Sequence, residues 1–349
     1  MSHKTKVTQQ HIADALGLSR NTVSKALNND PGLREDTKRR VLQKAVELGY
    51  MKIHHELTTS EAYAAENRLV ALLTHSDYMG NPYWMSFLKG LNATLKEAGC
   101  TLTMTIVDME EERQLLLPGL FHQQKPAGVI TIGPFLREYY EMIASTGTAS
   151  LFIDTHADYK PGDLKCDILL ADNKHSVHML ASKLIDQGHR NIGFVGDIGS
   201  CLSYRERWEG FQLALRERGM DADEDCCIIN RMQRHYYTEA ELREAFHALK
   251  RKPTAFVCVN DAIAIELMNI IRESGLSIPG DIALTGFDNI AESILVQPSL
   301  TTVHVPKEEM GMRAGDQIVW RMGHPKRPNE MIRLDVEMMW RESLVRPFQ

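Results

Sequence analysis

The chain has 349 residues, with 40 lysines and arginines against 46 aspartates and glutamates, 43% apolar side chains and a formal charge of −6. That is ample for two or three domains with a large core, while no stretch approaches the ~18 uninterrupted apolar residues a membrane span requires. The opening MSHKTKVTQQ has no signal-peptide apolar region, and the six cysteines, Cys226 and Cys227 being neighbours, show neither C-x-x-C nor metal-type Cys/His spacing. A reduced, cytoplasmic protein with no metal and no cofactor is expected.

At the N-terminus, Ile12, Ala13 and Leu16 recur at helical spacing behind Thr8, whose hydroxyl can accept from a first-turn amide, and predict a helix from Gln9 to Leu16. Gly17 supplies the backbone freedom of a tight turn, Leu18 turns inward, and Ser19 is a good N-cap for a second helix with Val23, Ala26 and Leu27 as its apolar stripe. The outward face carries Arg20, Asn21, Thr22, Ser24 and Lys25, donors and acceptors of the kind that meet base edges and phosphates in a major groove. A third pattern, TKRRVLQKAVELGY, buries Val41, Leu42, Ala45, Val46 and Leu48, with Tyr50 closing the bundle. Two short helices alone are by default a solvated surface hairpin. Three sharing a small core, with a basic excess, favour a DNA-reading helix-turn-helix. Through Ser60 the chain holds ten basic and six acidic residues, leaving −10 for the remainder, so attraction to phosphate is confined to the N-terminal unit.

After Asn67, eight short apolar runs alternate with helical patterns: RLVALLT, TLTMTIV, AGVITIG, ASLFID, DILLAD, NIGFVGD, TAFVCVND and DIALTGFD. The alternation predicts parallel α/β sheets with helices on both faces, two of them at this length, and a ligand site beyond the carboxyl ends of the strands. Standing there are Asp77 and Asn81, Asp154, Asp197, Asn260 with Asp261, and Asp288. Any one alone reads as a loop former. Together, acid and amide side chains suit paired hydrogen bonds to neighbouring hydroxyls, with an aromatic face for the C–H side of a sugar ring. Trp84, Phe87, Trp208, Tyr236 and Tyr237 are the aromatic candidates, one or two of which are expected to touch ligand while the rest are core.

The segment from Val7 to Tyr50, with its S-x-x-T-V-S-K-x-L-N run and terminal E-L-G-Y, resembles the DNA-binding headpiece of the LacI/GalR family of bacterial transcriptional regulators. Downstream, NPYWMSFLKGL, DNKHSVHMLASKLIDQGHRNIGFVGD, RERWEGFQLAL, VNDAIAIELM, IPGDIALTGFDN and PSLTTVHVPKEEMG are similar in order to that family's effector-binding core, so the likeness covers nearly the whole chain. It implies a helix-turn-helix headpiece over 1–53, a hinge over 54–67 and a two-lobed, periplasmic-binding-protein-like α/β core with parallel sheets. The N-lobe would be 68–171 plus 294–328 and the C-lobe 172–293 plus 329–349, with crossings near Asp172, Ser293 and Asn329. The resemblance also implies that Arg20, Asn21 and Lys25 read bases. Thr8, Ser19, Thr22, Ser24 and Asn28 would mostly contact or brace phosphates, and Gln9 and Tyr50 join the expected DNA-binding set. Asp77, Asn81, Trp84, Asp154, Arg207, Asn260, Asp261 and Asp288, with Tyr237, would hold effector. The implied function is a homodimeric repressor on a pseudo-palindromic operator, controlled by a small ligand in the interlobe cleft.

Exported two-lobed sugar-binding proteins share such a core but carry no headpiece. An enzyme is the weakest alternative. GFVGDIGS spaces its glycines G-x-x-G-x-x-G, unlike a dinucleotide fingerprint, no G-x-S-x-G, Walker loop or H-E-x-x-H occurs, and neither His175 with His178 nor His54 with His55 has a third ligand nearby. Effector chemistry stays open among a neutral sugar or polyol, which leads, an anionic sugar or phosphate held by Arg205 and Arg207, and a purine stacked on Trp84 or a tyrosine.

The linker departs from the family pattern. MKIHHELTTSEAYAAENR has no proline and no Ala-Arg-Ser-Leu hinge, holds about five more residues than usual, and places Glu56, Glu61 and Glu66 where phosphates approach. Leu57 is its one candidate for a minor-groove wedge, and weaker hinge bending is expected. Arg34 stands where a capping serine is usual before the third helix, and His175 and Ser176 replace small residues after Asp172 and Asn173.

Overall fold

The computed structural model describes residues 8–27, 30, 32–47, 68–78, 82–229 and 238–344, which belong to two compact units divided after Arg68. The linker 54–67, with Leu57, lies outside the described residues, as do Asn28 and Tyr50. In the first unit α1 (Gln9–Leu16), α2 (Arg20–Leu27) and α3 (Glu35–Glu47) enclose Ile12, Ala13, Val23, Ala26, Val41 and Ala45, with Leu16, Leu18, Leu27 and Leu33 packed around them. α1 stops at Gly17, whose φ of +65° lets the Leu18 amide reach back to the Ala13 carbonyl at 3.0 Å. Ser19 then caps α2, its Oγ accepting from the Thr22 amide at 3.0 Å.

The second unit is two α/β lobes. The first lobe is built on six parallel strands in the order β10-β5-β4-β3-β1-β2: β1 Leu69–Thr74, β2 Thr101–Ile106, β3 Gly128–Ile132, β4 Ala149–Ile153, β5 Asp167–Ala171 and β10 Met331–Leu334. Helices cover both faces of this sheet, so its central strands are apolar on both sides. Val70 and Leu72 share a core with Phe87, Leu91 and Leu95 of the Pro82–Glu97 helix, whereas Ala71 and Leu73 share one with Phe135, Tyr139 and Tyr140. The second lobe holds parallel strands β6 (Ile192–Val195), β7 (Ala255–Cys258) and β8 (Ala283–Thr285), and an antiparallel pair, β9 (Thr302–His304) with β11 (Glu337–Met339). The eight predicted runs are strands β1 to β8. Among the described residues no helix is long and apolar enough to cross a membrane.

Two of the expected crossings between lobes lie elsewhere. Residues 299–304 belong to the second lobe, because Thr301 bridges Thr285, His304 bridges Asp288, and β9 pairs with β11. The return to the first lobe therefore comes between His304 and Lys307, not near Ser293. Likewise Met331 to Leu334 lie parallel to β5, so the last crossing falls between Leu334 and Glu337, not near Asn329. Both errors have one cause: β9 to β11 are interrupted by polar residues and lack the apolar runs that marked the other strands.

On one face of the first-lobe sheet two helices meet at close range. A Cβ at Gly90 would stand 2.0 Å from the Glu308 carbonyl oxygen, and one at Gly311 2.0 Å from that of Phe87, so the Pro82–Glu97 and Lys307–Gly323 helices touch backbone to backbone. At the far end of the second of these helices, Arg321 donates to both carboxylate oxygens of the fully buried Asp167, at 2.6 and 2.8 Å. Gln317 Nε2 and the Glu330 amide donate to the same carboxylate at 2.7 and 2.9 Å. This cluster joins the helix, β5 and the entry to β10. Removing one member strands a buried charge, so Asp167→Ala is expected to cost about 3–5 kcal/mol of core stability. Asp225→Ala, which breaks an exposed, solvent-screened pair with Lys250, should cost far less. Urea denaturation of both variants checks the contrast.

Candidate functional site

Two surfaces bear on function. On α2, Arg20, Asn21 and Lys25 are exposed, Thr22 and Ser24 are half-buried, and Ser19 is occupied in capping. Lys25 lies 3.9 Å from Asp30. Thr8 precedes α1, its amide donating to His11 Nδ1 at 3.2 Å, and Gln9 opens that helix half-buried. The helix thus offers charged and amide groups on one side while Val23 and Ala26 hold the other in the core.

In the second unit, the carboxyl ends of the first-lobe strands and the helix N-termini of the second lobe enclose a cavity of about 220 Å³. Of the residues expected there, Trp84, Asp154, Arg207, Asn260 and Asp288 line it. Tyr78 and Tyr83 approach Trp84 edge-on at 6.2 and 4.8 Å between ring centres and fix the indole plane. Arg207, on the Leu202–Arg216 helix, donates from Nε to Asn173 Oδ1 at 2.9 Å and from Nη1 to the Val259 carbonyl. Its guanidinium carbon lies over Phe287, 3.5 Å from the ring centre, a cation–π contact that holds it against the second lobe.

The carboxylates divide by task. Asp154, at φ +74°, accepts from the amides of Thr155 at 2.7 Å and Ser203 at 3.1 Å, so one of its oxygens caps a helix of the opposite lobe. Asn260 caps the Asp261–Glu273 helix through the Ile263 amide at 2.9 Å and donates to the Tyr204 hydroxyl at 2.8 Å. Asp288 follows β8 at φ +108°, and among the described residues its carboxylate accepts no hydrogen bond. Burial pushes it up to about 6, with Arg207 and then Lys307 pulling the other way.

Two predicted residues are placed elsewhere. Asp261 lies beneath the cavity, fully buried, accepting from Thr302 Oγ1 at 2.5 Å and the Ile290 amide at 2.9 Å, so it braces the Asp288 loop and does not face ligand. Asp77 is exposed and does not line the cavity. Asn81, Tyr236 and Tyr237 lie outside the described residues. Phe87 and Trp208 are core, and Arg205 turns to Asp158 at 3.5 Å instead of joining Arg207 in the cavity. His178 pairs with Glu217 at 2.7 Å, and the described residues hold no cluster of three metal-ligating side chains. Sequence reasoning missed Tyr78, Tyr83 and Tyr204. The last lies one helical turn before Arg207, a spacing that could have flagged it.

Residues 8–52 match the model of bacterial regulatory proteins of the lacI family, and residues 181–344 match a periplasmic binding protein-like domain. The HTH-type transcriptional regulator DegA of Bacillus subtilis is 27% identical over 309 residues, 88% of each chain. Among solved structures, a transcriptional regulator CelR–cellobiose complex has a TM-score of 0.67 at 22% identity, covering 97% of this chain and 100% of its own. The lac repressor dimer bound to operator and the anti-inducer ONPF has 0.69 at 19%, covering 98% and 100%.

The buried acids set a pH dependence. Asp261 is pushed up to about 7, chiefly by burial and next by the charge of Asp288. Both carboxyls hold protons in the folded state that the unfolded chain releases near pH 4. Their stabilising contribution is therefore complete below about pH 4 and is lost as pH rises through about 7. Asp261→Asn, which keeps an acceptor for the Ile290 amide, is expected to flatten the fall in stability over that window. Denaturation midpoints of both proteins from pH 4 to 8 check it.

Proposed function

We propose that this chain, which belongs to the lacI family of bacterial regulatory proteins, is a repressor that binds a pseudo-palindromic operator as a dimer and responds to a neutral, hydroxyl-rich effector in its interlobe cleft. As a member of that family it is a DNA-binding transcriptional regulator, not an enzyme. The observation that carries the effector reading is the Asp288 carboxylate and the Arg207 guanidinium in one aromatic-walled cavity with Trp84. Asp154 and Glu292 also line that cavity, Arg205 is absent from it, and the Lys307 ammonium is occupied by backbone carbonyls, so negative charge predominates and an anionic ligand is disfavoured. Carboxylate, guanidinium and a ring face together suit a sugar or polyol. The cellobiose held by the CelR neighbour accords with this.

For the dimer, support comes from apolar surface left open on the second unit. Edge strand β2 exposes Met104 and Ile106, and Ile294 and Leu295 are 60% and 77% exposed. Such surface is costly unless covered, and a second copy would cover it symmetrically. The operator-bound lac repressor neighbour is a dimer. The headpiece 1–53 would present α2 to the major groove, and the linker 54–67 would connect it to the lobes without the usual hinge.

Thermal-shift screening against sugars, polyols, sugar phosphates and purines tests the effector. A neutral sugar or polyol should raise the melting temperature of the wild type but not of Asp288→Ala or Arg207→Ala. A shift confined to phosphates or purines would overturn the assignment. For DNA, Arg20→Ala should weaken binding to a selected operator by about 1–3 kcal/mol and relax its sequence preference, whereas Asp77→Ala should leave both unchanged, as gel-shift titration will show.

A further inference from the structure

Lys307 opens the Lys307–Gly323 helix of the first lobe, yet its ammonium is bound by the second. Nζ donates to the carbonyl of Asp288, to that of Asn289 at 3.2 Å and to that of Val305 at 3.4 Å, and lies 5.5 Å from the Tyr83 ring centre. An ammonium has three N–H donors and no acceptor, so three carbonyls match its capacity. Val305 belongs to the second crossing, while Asp288 and Asn289 form the loop after β8. Both loop residues are in the left-handed region, at φ +108° and +51°, with no glycine to relieve them.

An account of the loop's backbone groups separates what holds each side. The amides are taken within the second lobe: Asp288 by the Val303 carbonyl at 2.9 Å, Asn289 by Thr302 Oγ1 at 3.3 Å and Ile290 by Asp261 at 2.9 Å. The carbonyls of Asp288 and Asn289 point the other way and are met by Lys307. The same lysine begins the helix that packs backbone to backbone on the one carrying Tyr83 and Trp84.

We infer that Lys307 is a positioning residue for the cleft: by binding the Asp288 and Asn289 carbonyls it holds the strained loop that turns the Asp288 carboxyl into the cavity, and it ties that carboxyl to the aromatic wall of the other lobe. The inference rests on reading this cavity as the effector site. Its test needs no effector, so the two fail separately.

Hydrogen exchange on the ligand-free full chain, for wild type, Lys307→Met and Lys307→Arg, reads the loop directly. Lys307→Met should speed exchange in 287–293 by about tenfold or more and leave 314–321 unchanged. The carboxyl ¹³C resonance of Asp288 should titrate at higher pH in Lys307→Met, where one of the two cations facing it is gone, Arg207 remaining and Asp261 lying behind. Lys307→Arg should restore the titration midpoint. An unchanged loop and midpoint in Lys307→Met would overturn the inference. So would faster exchange of 287–293 and 314–321 together, which would make the lysine a general support of its helix.

Discussion

Three strands of backbone pass between the two lobes, and peptide groups there that no sheet or helix takes up must be met by side chains. At the first crossing Asn173 joins one such carbonyl to a cluster of second-lobe side chains. Its Nδ2 is shared among the Ala171 carbonyl at 3.0 Å, Ser203 Oγ at 3.2 Å and Glu206 Oε2 at 3.3 Å, and its Oδ1 receives Arg207. Glu206 in turn binds Arg333 of β10, which enters the third crossing, and burial keeps its carboxyl above the usual range despite that arginine. The fold's polar pivot and the cationic wall of the cleft are therefore one network. What orients the lobes also orients the group offered to ligand.

Away from that pivot, each lobe has helices seated directly on one another. In the first lobe, Gly90 and Gly311 allow two helices to meet at backbone distance. In the second, a Cβ on Gly210 would lie 2.1 Å from the Lys174 carbonyl oxygen, so the Lys174–Asp186 and Leu202–Arg216 helices meet in the same way. Contacts of that kind transmit displacement without absorbing it. A ligand that draws the lobes together thus moves whole helices, and any surface covered by a second copy must follow.

How much of this was legible in the chain depended on how local the cause was. The headpiece needed only helical spacing, each stripe local to one short helix, with Gly17 and Ser19 between the first two, and strands β1 to β8 announced themselves as apolar runs. The cleft was half legible. Strand ends pointed to Asp154, Arg207's neighbours and Asp288, but the split between Asp288, open to ligand, and Asp261, bonded to Thr302 and Ile290, depends on residues 29 and 41 positions away. The crossings were least legible, since they are set by pairing of β9 with β11 and of β10 with β5, which is long-range geometry without a compositional mark.

Arg207 has one nitrogen committed to the pivot at Asn173 and one to the Val259 carbonyl of the second lobe, and among the described residues only Nη2 is left without a hydrogen bond. The second-lobe wall is thereby tied to fold integrity, while on the first-lobe wall Tyr83 of the aromatic trio is placed beside a crossing residue, with Lys307 Nζ 5.5 Å from its ring centre, and Trp84 makes ring contacts to Tyr78 and Tyr83. A substitution at Arg207 therefore disturbs pivot and cleft together, whereas one at Trp84 alters the ring wall of the cleft without touching that network, so the two walls tolerate change unequally.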